Sequence, residues 1–217
     1  MSPGRNEVLG ALKRGGLIPV IRAHSAEAAV RISEALVEGG IQTLEITMTV
    51  PDALEAIRAV SAALGDDALI GAGTVTTGEM ARGALEAGAR FLVSPAVVPD
   101  VIAVAREEDV PVLPGALTPT EVLAARSLGG DVIKVFPASA VGGASYLRAL
   151  KGPFPDIDFC PTGGVNLETI GAFFAAGAVA VGVGGELVLK SAIENGQFHR
   201  LTELARRYVD AVARARR

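Results

Sequence analysis

The sequence predicts an α/β protein, a single (β/α)8 TIM barrel with an extra N-terminal helix. Two observations predict this fold: short apolar runs alternate with Ala-rich helical stretches along the chain, and glycines stand where most of those stretches end. The apolar runs alternate little between polar and apolar residues, as expected for parallel strands that are covered on both faces. The 217 residues suffice for one such barrel, near the lower end of its size range.

The predicted elements follow one another in a regular order. Eight runs rich in β-branched residues are the predicted strands: Leu17–Ile21, Ile41–Thr47, Ala68–Gly71, Arg90–Val93, Val110–Leu113, Asp131–Phe136, Ile157–Cys160 and Ala178–Gly182. Eight helical stretches come after them: Ala26–Val37, Pro51–Leu64, Thr77–Ala87, Pro99–Glu108, Pro119–Ser127, Ala144–Leu150, Leu167–Ala176 and Glu186–Ser191. Two further amphipathic helices are predicted, one before the first strand and one at the end, at Arg5–Lys13 and Phe198–Arg214.

The predicted helix ends carry suitable capping residues. Candidate N-caps and first-turn prolines are Ser25, Thr76, Thr118, Pro51 and Pro119. Glycines suited to a left-handed C-cap are Gly39, Gly40, Gly65, Gly88, Gly129, Gly130 and Gly177. No linker or shift of composition interrupts the pattern, so we expect one domain over residues 1–217. A closed barrel fits the count of elements better than the alternative, an open doubly wound sheet.

The composition speaks against several classes of function. A net charge of −4 and a pI near 5.3 argue against a nucleic-acid partner. No window approaches the roughly 20 apolar residues of a membrane span, so no membrane partner is expected. Cys160 is the single cysteine, which excludes an intramolecular disulfide and fits the cytoplasm. His24 and His199 stand in no metal-ligand spacing, and we expect neither a metal nor another cofactor.

Lys134 is the first candidate catalytic residue. It is one of four lysines and the only one with β-branched apolar residues on both sides, in the run DVIKVF. In barrels of this kind the active site lies at the C-terminal ends of the strands. Burial destabilises an ammonium group and favours the neutral, nucleophilic amine. Lys134 is therefore predicted to attack a carbonyl carbon, the alternatives being half of a buried ion pair or a lysine that reaches solvent from a strand end.

Glu45 is the second candidate, in the predicted strand LEITMT. The two-residue period of a strand puts Glu45, Thr47 and Thr49 on one side, which we expect to face the barrel interior and its mouth. Thr47 and Thr49 are therefore predicted to contact the substrate. A carboxylate there needs a partner, and Lys134 is the obvious one. The pair is either purely structural, or Glu45 is a general acid/base that moves protons to and from a bound intermediate.

Two glycine-rich segments follow the last two predicted strands, PTGGVN and GVGGE. Barrels of this fold bind phosphate after these strands, where backbone N–H groups and the N-terminus of a short helix converge. The residues predicted to hold phosphate are Thr162, Gly163, Gly164, Gly184 and Gly185. Arg22 ends the first predicted strand, where it can bind a carboxylate or phosphate or pair with an acidic residue at the rim.

The motifs LEIT, GAGT, VSP, LPG, IKVFP and GPFP…PTGGV, in this order, resemble the bacterial 2-keto-3-deoxy-6-phosphogluconate (KDPG) / 4-hydroxy-2-oxoglutarate (KHG) aldolase family. The likeness covers nearly the whole chain. It implies a homotrimeric (β/α)8 barrel that needs no cofactor. It also implies a class I aldolase, which reversibly cleaves its phosphorylated keto acid to pyruvate and glyceraldehyde 3-phosphate through a lysine Schiff base.

The resemblance assigns roles to residues by motif. Lys134 matches the Schiff-base lysine, and Glu45 matches the residue that shuttles protons. The remaining matches concern substrate binding: Thr74 for the pyruvate carboxylate, Pro95 and Phe136 for the pocket walls, and Thr162, Gly163 and Gly164 for the phosphate.

Two positions depart from the family pattern. Many members have an arginine in LEVTLRT where this chain has Thr49, and another branch pairs such a threonine with an arginine like Arg22. Some members have a serine where Gly185 stands, so a hydroxyl is absent here. The galactonate-derived epimer and KHG stay open as substrates. The rival functions are a phosphate-binding isomerase or synthase without a covalent step, and a non-catalytic sugar-phosphate-binding protein.

Overall fold

The computed structural model describes residues 3–217, which form nine strands and ten α-helices. The strands are β1 Leu17–Ile21, β2 Thr43–Thr47, β3 Leu69–Gly73, β4 Phe91–Val93, β5 Val112–Leu113, β6 Gly115–Ala116, β7 Ile133–Val135, β8 Phe159–Pro161 and β9 Val181–Val183. The helices are α1 Arg5–Gly15, α2 Ala26–Glu38, α3 Ala53–Leu64, α4 Gly78–Glu86, α5 Pro99–Glu107, α6 Pro119–Ser127, α7 Ala144–Lys151, α8 Ile170–Ala175, α9 Lys190–Glu194 and α10 His199–Ala215.

The strands pair in parallel and form a curled sheet in two parts. One part has the order β5-β4-β3-β2-β1-β9 and the other the order β6-β7-β8. Pro114 stands between β5 and β6, and a proline has no N–H with which to continue the ladder. Parallel bridges from Phe159 to Ala178 and from Thr162 to Gly182 place the end of β8 beside β9. The prediction of an α/β fold with a parallel sheet is therefore confirmed.

The two faces of the sheet have separate apolar cores. Leu44 and Ile46 of β2 are fully buried in the core that the sheet shares with the surrounding helices. The inner face buries a second cluster, together with Val8 and Leu12 of α1: Ile18, Phe91, Val93, Leu113, Val132, Cys160 and Ala180. Helix α1 thus packs against the inner face near the N-terminal ends of the strands, which leaves the opposite end free for a site.

Most predicted helices and strands lie within a few residues of their predicted bounds. Ser25 and Thr118 cap α2 and α6 as predicted, each accepting a hydrogen bond from a backbone N–H group. Thr77, rather than the predicted Thr76, caps α4. Helix α3 begins at Ala53, so Pro51 lies in the turn before it.

The predicted helix at Glu186–Ser191 is wrong. The loop after β9 makes a single turn, in which the carbonyl oxygen of Gly184 accepts from the N–H groups of Leu187 and Val188 at 3.0 and 2.9 Å. The side chains of Leu187 and Val188 are both buried in the core. Burial of these two side chains fixes the turn, and one isolated turn has little helix stability of its own. The helix starts later, at α9.

Candidate active site

A cavity of about 450 Å³ opens where the strands end. The lining residues are Val20, Arg22, Thr49, Thr74, Pro95, Lys134, Phe136, Thr162, Gly163, Gly164, Val165, Gly182, Gly184, Gly185 and Glu186. Every predicted site residue is among them except Glu45 and Thr47, which lie within β2. Val20 and Gly182 were not predicted, although the alternation along β1 and β9 would have placed them on the inner face.

Lys134 and Glu45 meet at the base of this cavity, from two strands that are not neighbours in the sheet. Lys134 Nζ lies 3.5 Å from Glu45 Oε1, and the two residues are only 6% and 3% exposed. A direct charge-assisted hydrogen bond is shorter, about 2.8 Å. Among residues 3–217, Glu45 Oε1 has no hydrogen-bond partner. A buried carboxylate oxygen without a donor is available to take a proton from a bound molecule.

Gly73 provides the space that the Glu45 carboxylate occupies. A Cβ atom on Gly73 would lie 2.0 Å from Glu45 Oε1. Gly182 has a similar place on β9, where a Cβ atom would lie 2.2 Å from Thr162 Oγ1. Neither glycine has a positive φ, so side-chain space rather than backbone conformation requires them. The sequence alone does not reveal either role, because the side chain that needs the space lies elsewhere along the chain.

Thr47 is placed differently from its prediction. It is fully buried, and its Oγ1 donates to the carbonyl oxygen of Ile21 on β1 at 3.2 Å. The Oγ1 of Thr49 lies 2.8 Å from that of Thr47 and can donate to it. The predicted substrate contact of Thr47 is thus corrected: Thr47 supports Thr49, which lines the cavity.

Arg22 and the glycine loops form one corner of the cavity. Arg22 is exposed, and its Nη1 lies 3.4 Å from the position that a Cβ atom would take on Gly184. Gly163 and Gly164 have φ values of 94° and 73°, a region that glycine enters at little cost. The guanidinium therefore faces the loop after β9, beside the loop after β8. This combination of a cation with glycine backbone suits an anionic group.

Thr74 lines the cavity in a strained conformation. Its φ is 58°, and a β-branched residue rarely adopts positive φ. Such strain costs on the order of 1–3 kcal/mol and is found most often at ligand sites, where the surroundings impose it. The strain accords with the predicted role of Thr74 as a substrate contact.

Cys160 lies beneath the cavity and is not a second nucleophile. Burial raises the pKa of its thiol to about 12, and the carboxylate of Glu45 acts in the same direction. Lys134 and a hydrogen bond with Thr162 oppose this effect but are weaker. The thiol therefore stays protonated at neutral pH, and the protonated form is unreactive.

Neither a metal-binding cluster nor a membrane-spanning helix is found among residues 3–217. No group of three or more His, Cys, Asp and Glu side chains is placed to hold a metal ion. No helix in that part of the chain is long and apolar enough to cross a membrane. A groove of about 640 Å³ lies away from the site, with Glu7, Arg14 and Arg90 among its lining residues. It contains none of the predicted site residues.

The chain is similar in sequence to known aldolases. The model of the aldolase family described as KDPG and KHG aldolase matches residues 8–204. A 2-dehydro-3-deoxy-phosphogluconate aldolase of Dickeya dadantii (strain 3937) is 39% identical over 91% of this chain and 92% of its own. The resemblance inferred from the sequence motifs is confirmed by both matches.

Solved structures give the same result. A KDPG aldolase from Legionella pneumophila, with pyruvate captured as a covalent carbinolamine intermediate, superimposes with a TM-score of 0.85 at 34% identity. The match covers 91% of this chain and 96% of that one. A structure described as native KDPGal has a TM-score of 0.84 at 32% identity and covers 92% and 95% of the two chains. By sequence and by structure, this chain belongs to the KDPG and KHG aldolase family.

Proposed function

We propose that this chain is a class I aldolase that reversibly cleaves KDPG to pyruvate and glyceraldehyde 3-phosphate, and KHG to pyruvate and glyoxylate. The observation that carries the proposal is the pair at the base of the cavity. Lys134 is buried with its Nζ 3.5 Å from Glu45 Oε1, an oxygen without a partner among the described residues. A Schiff-base reaction needs an amine and a proton carrier that both reach the same bound molecule, and this pair lies side by side at the base of one cavity.

Lys134 supplies the covalent step. Its uncharged amine attacks the C2 carbonyl carbon of the keto acid. The departing oxygen takes up a proton from the solvent and leaves as water, which gives a protonated imine that accepts electrons from the C3–C4 bond. Lys134 is only 6% exposed among apolar strand residues, so bulk water is kept away from the amine during the attack. Afterwards the cationic imine lies near the Phe136 ring, whose centroid is 5.6 Å from Nζ. An aromatic face stabilises a cation at such a distance.

Glu45 moves the protons in this proposal. Through a water molecule it takes the proton of the C4 hydroxyl, the C3–C4 bond breaks, and the aldehyde leaves. Glu45 then returns a proton to C3 of the enamine, and hydrolysis frees pyruvate and Lys134. The 3.5 Å separation from Lys134 supports this role, because it leaves Glu45 Oε1 without a hydrogen-bond partner among the described residues and thus able to accept a proton from a bound molecule.

Thr74, Thr49 and the corner around Arg22 bind the substrate. Thr74 contacts the pyruvate carboxylate, and Pro95 and Phe136 form the walls of the pocket. The loops at 162–164 and 184–185 hold the phosphate. Arg22 supplies the positive charge that relatives with an arginine at the position of Thr49 obtain from β2. The position of Arg22 Nη1 near Gly184 supports this assignment.

The variant Lys134→Arg separates the covalent mechanism from a purely electrostatic one. It keeps the positive charge but removes the primary amine, so we expect KDPG cleavage to fall to the background rate. Lys13→Arg, on helix α1 far from the cavity, is the matched control and should keep full activity. Cleavage that survives in Lys134→Arg would favour the rival function, an isomerase or synthase that uses the lysine only for its charge.

A side-by-side assay determines the substrate. The likeness to the KDPGal structure makes the galactonate-derived epimer the second candidate. We expect kcat/KM to be higher for KDPG than for this epimer and for KHG. A higher value for the epimer would reassign the function to 2-keto-3-deoxy-6-phosphogalactonate aldolase.

We also propose that residues 1–217 form one domain, a (β/α)8 barrel with α1 as an extra N-terminal helix. In this barrel β5 and β6 count as one strand broken at Pro114. The bridge between Thr162 and Gly182 supports closure of such a barrel. A homotrimer and a cytoplasmic location stay predictions from the family likeness and the single cysteine. Mass determination in solution tests the trimer.

A further inference from the structure

A second groove adjoins the catalytic cavity. Its volume is about 650 Å³, and three residues line both spaces: Val20, Arg22 and Gly185. The groove contains neither Lys134 nor Thr74 in its lining. It is therefore an extension of the catalytic cavity rather than a second reactive site.

The floor of this groove is apolar and its rim is charged. Val20 and Val188 are buried, with 4% and 6% exposure, and Ile193 is half-buried against the main core. His24 and Lys190 are exposed at the rim. Lys190 Nζ lies 3.5 Å from Glu194 Oε1 in a solvent-exposed pair, which is a weak interaction that an incoming anion can replace.

The groove begins at the anion-binding corner. Arg22 and Gly185, which line both spaces, belong to the corner that we assign to the phosphate. A substituent that extends from C4 past this corner therefore enters the groove. Neither glyoxylate nor a phosphate group uses an apolar floor, because both are fully polar. The groove is thus suited to a longer aldehyde with an aliphatic chain.

We propose that this groove is an acceptor subsite for ω-anionic aliphatic aldehydes, whose chain lies on Val20, Val188 and Ile193 and whose anion lies beside Lys190. The inference rests on the proposed aldolase function. In the addition direction, C3 of the Lys134-bound enamine bonds to the aldehyde carbon, and the aldehyde oxygen takes a proton to become the C4 hydroxyl. Water then hydrolyses the imine, which releases the long-chain 4-hydroxy-2-oxo acid and the free amine.

The test uses pyruvate as donor and a series of aldehydes as acceptors: glyoxylate, 4-oxobutanoate, 5-oxopentanoate, 6-oxohexanoate and hexanal. If the apolar floor of the groove binds the aliphatic part of the aldehyde, kcat/KM should rise by about fourfold for each added methylene group of the oxo acids. Hexanal, which lacks the anion, should react severalfold more slowly than 6-oxohexanoate. A kcat/KM that does not depend on chain length, or is equal for these last two, would overturn the proposal.

Two variants test whether the dependence of kcat/KM on aldehyde length arises in the groove. Ile193→Trp fills the floor and should lower the ratio of kcat/KM for 6-oxohexanoate to that for glyoxylate by about tenfold or more. Lys190→Glu, at an exposed position that folding does not depend on, should lower the same ratio. Leu123→Trp is the matched control, because Leu123 lies 55% exposed on α6, and it should leave the ratio unchanged. Unaltered ratios in both groove variants would contradict the subsite.

The rate with glyoxylate distinguishes failure of the proposed subsite from failure of the proposed aldolase function. If pyruvate adds to glyoxylate but chain length has no effect, the aldolase function stands and the subsite alone is wrong. If no aldehyde at all is accepted, the proposed function fails and the subsite fails with it.

Discussion

Replacement of Gly73 with alanine should displace the carboxylate of Glu45, the proton carrier that we propose, while the protein stays folded. The new Cβ atom would lie 2.0 Å from Oε1 and 2.5 Å from Cδ of Glu45, whereas non-bonded atoms of this size ordinarily stay about 3.5 Å apart. The carboxylate must therefore move by about 1 Å or more. Because it is the far end of a flexible side chain, this movement costs little stability.

The size of the effect follows from that displacement. A misplacement of about 1 Å can cost on the order of hundredfold in rate, which corresponds to about 2.7 kcal/mol of transition-state stabilisation. We expect kcat/KM for KDPG cleavage to fall by about this factor in Gly73→Ala. Pyruvate release followed with lactate dehydrogenase and NADH measures it. The double variant Gly73→Ala/Glu45→Asp, whose carboxylate is one methylene shorter, should be no slower than Glu45→Asp alone.

Gly71→Ala is the matched control in the same strand. Its Cβ atom would lie 2.3 Å from the Phe91 ring, which is fully buried, so the clash falls on the core and not on the carboxylate. We expect this variant to lose thermal stability, while the molecules that stay folded keep most of their activity. A Gly73→Ala enzyme with kcat/KM within about threefold of the parent would refute the steric reasoning.

Three further predictions concern a charge, a thiol and a capping contact. Arg22→Ala should raise the KM for KDPG strongly while its folding is unchanged, and an unchanged KM would exclude Arg22 as the phosphate or carboxylate ligand. Cys160, with its pKa raised to about 12, should react with a thiol reagent at pH 8 only after unfolding in urea. Its protonated state also adds stability that is present below the unfolded pKa of about 8.5 and is lost progressively as the pH rises from there to about 12. Rapid labelling of the native protein would contradict this burial. Arg216→Ala should lower the free energy of unfolding by about 1–2 kcal/mol, since the guanidinium of Arg216 donates to the carbonyl oxygens of Lys13 and Arg14 at 2.7 Å each. Arg217→Ala, at the neighbouring position, is the control. Equal free energies of unfolding for the two variants would refute the role of Arg216.

The pair of Lys134 and Glu45 was predictable because the chemistry of these side chains conflicts with their surroundings. Lys134 stands between Ile133 and Val135, where a lysine without a function is costly. Glu45 follows from the period of its strand and from the need for a partner. Both residues are identified by their type and by their position along the chain, and neither identification depends on a distance between secondary-structure elements.

The supporting residues were not predictable, because their roles depend on distances between elements. The space that Gly73 gives to Glu45, and Gly182 to Thr162, becomes visible only when neighbouring strands are placed side by side. Thr47 has the expected alternation, yet its hydroxyl bonds to the backbone of β1. The turn after β9 also escaped prediction, because tertiary burial of Leu187 outweighs local helix propensity.

Reduction with borohydride in the presence of pyruvate is the most direct test of a covalent lysine. Peptide mapping by mass spectrometry should find one reduced pyruvate per chain, attached at position 134, with no label at the other lysines and none in Lys134→Arg. Recovery of unmodified protein under these conditions, or a label on a different lysine, would contradict the account.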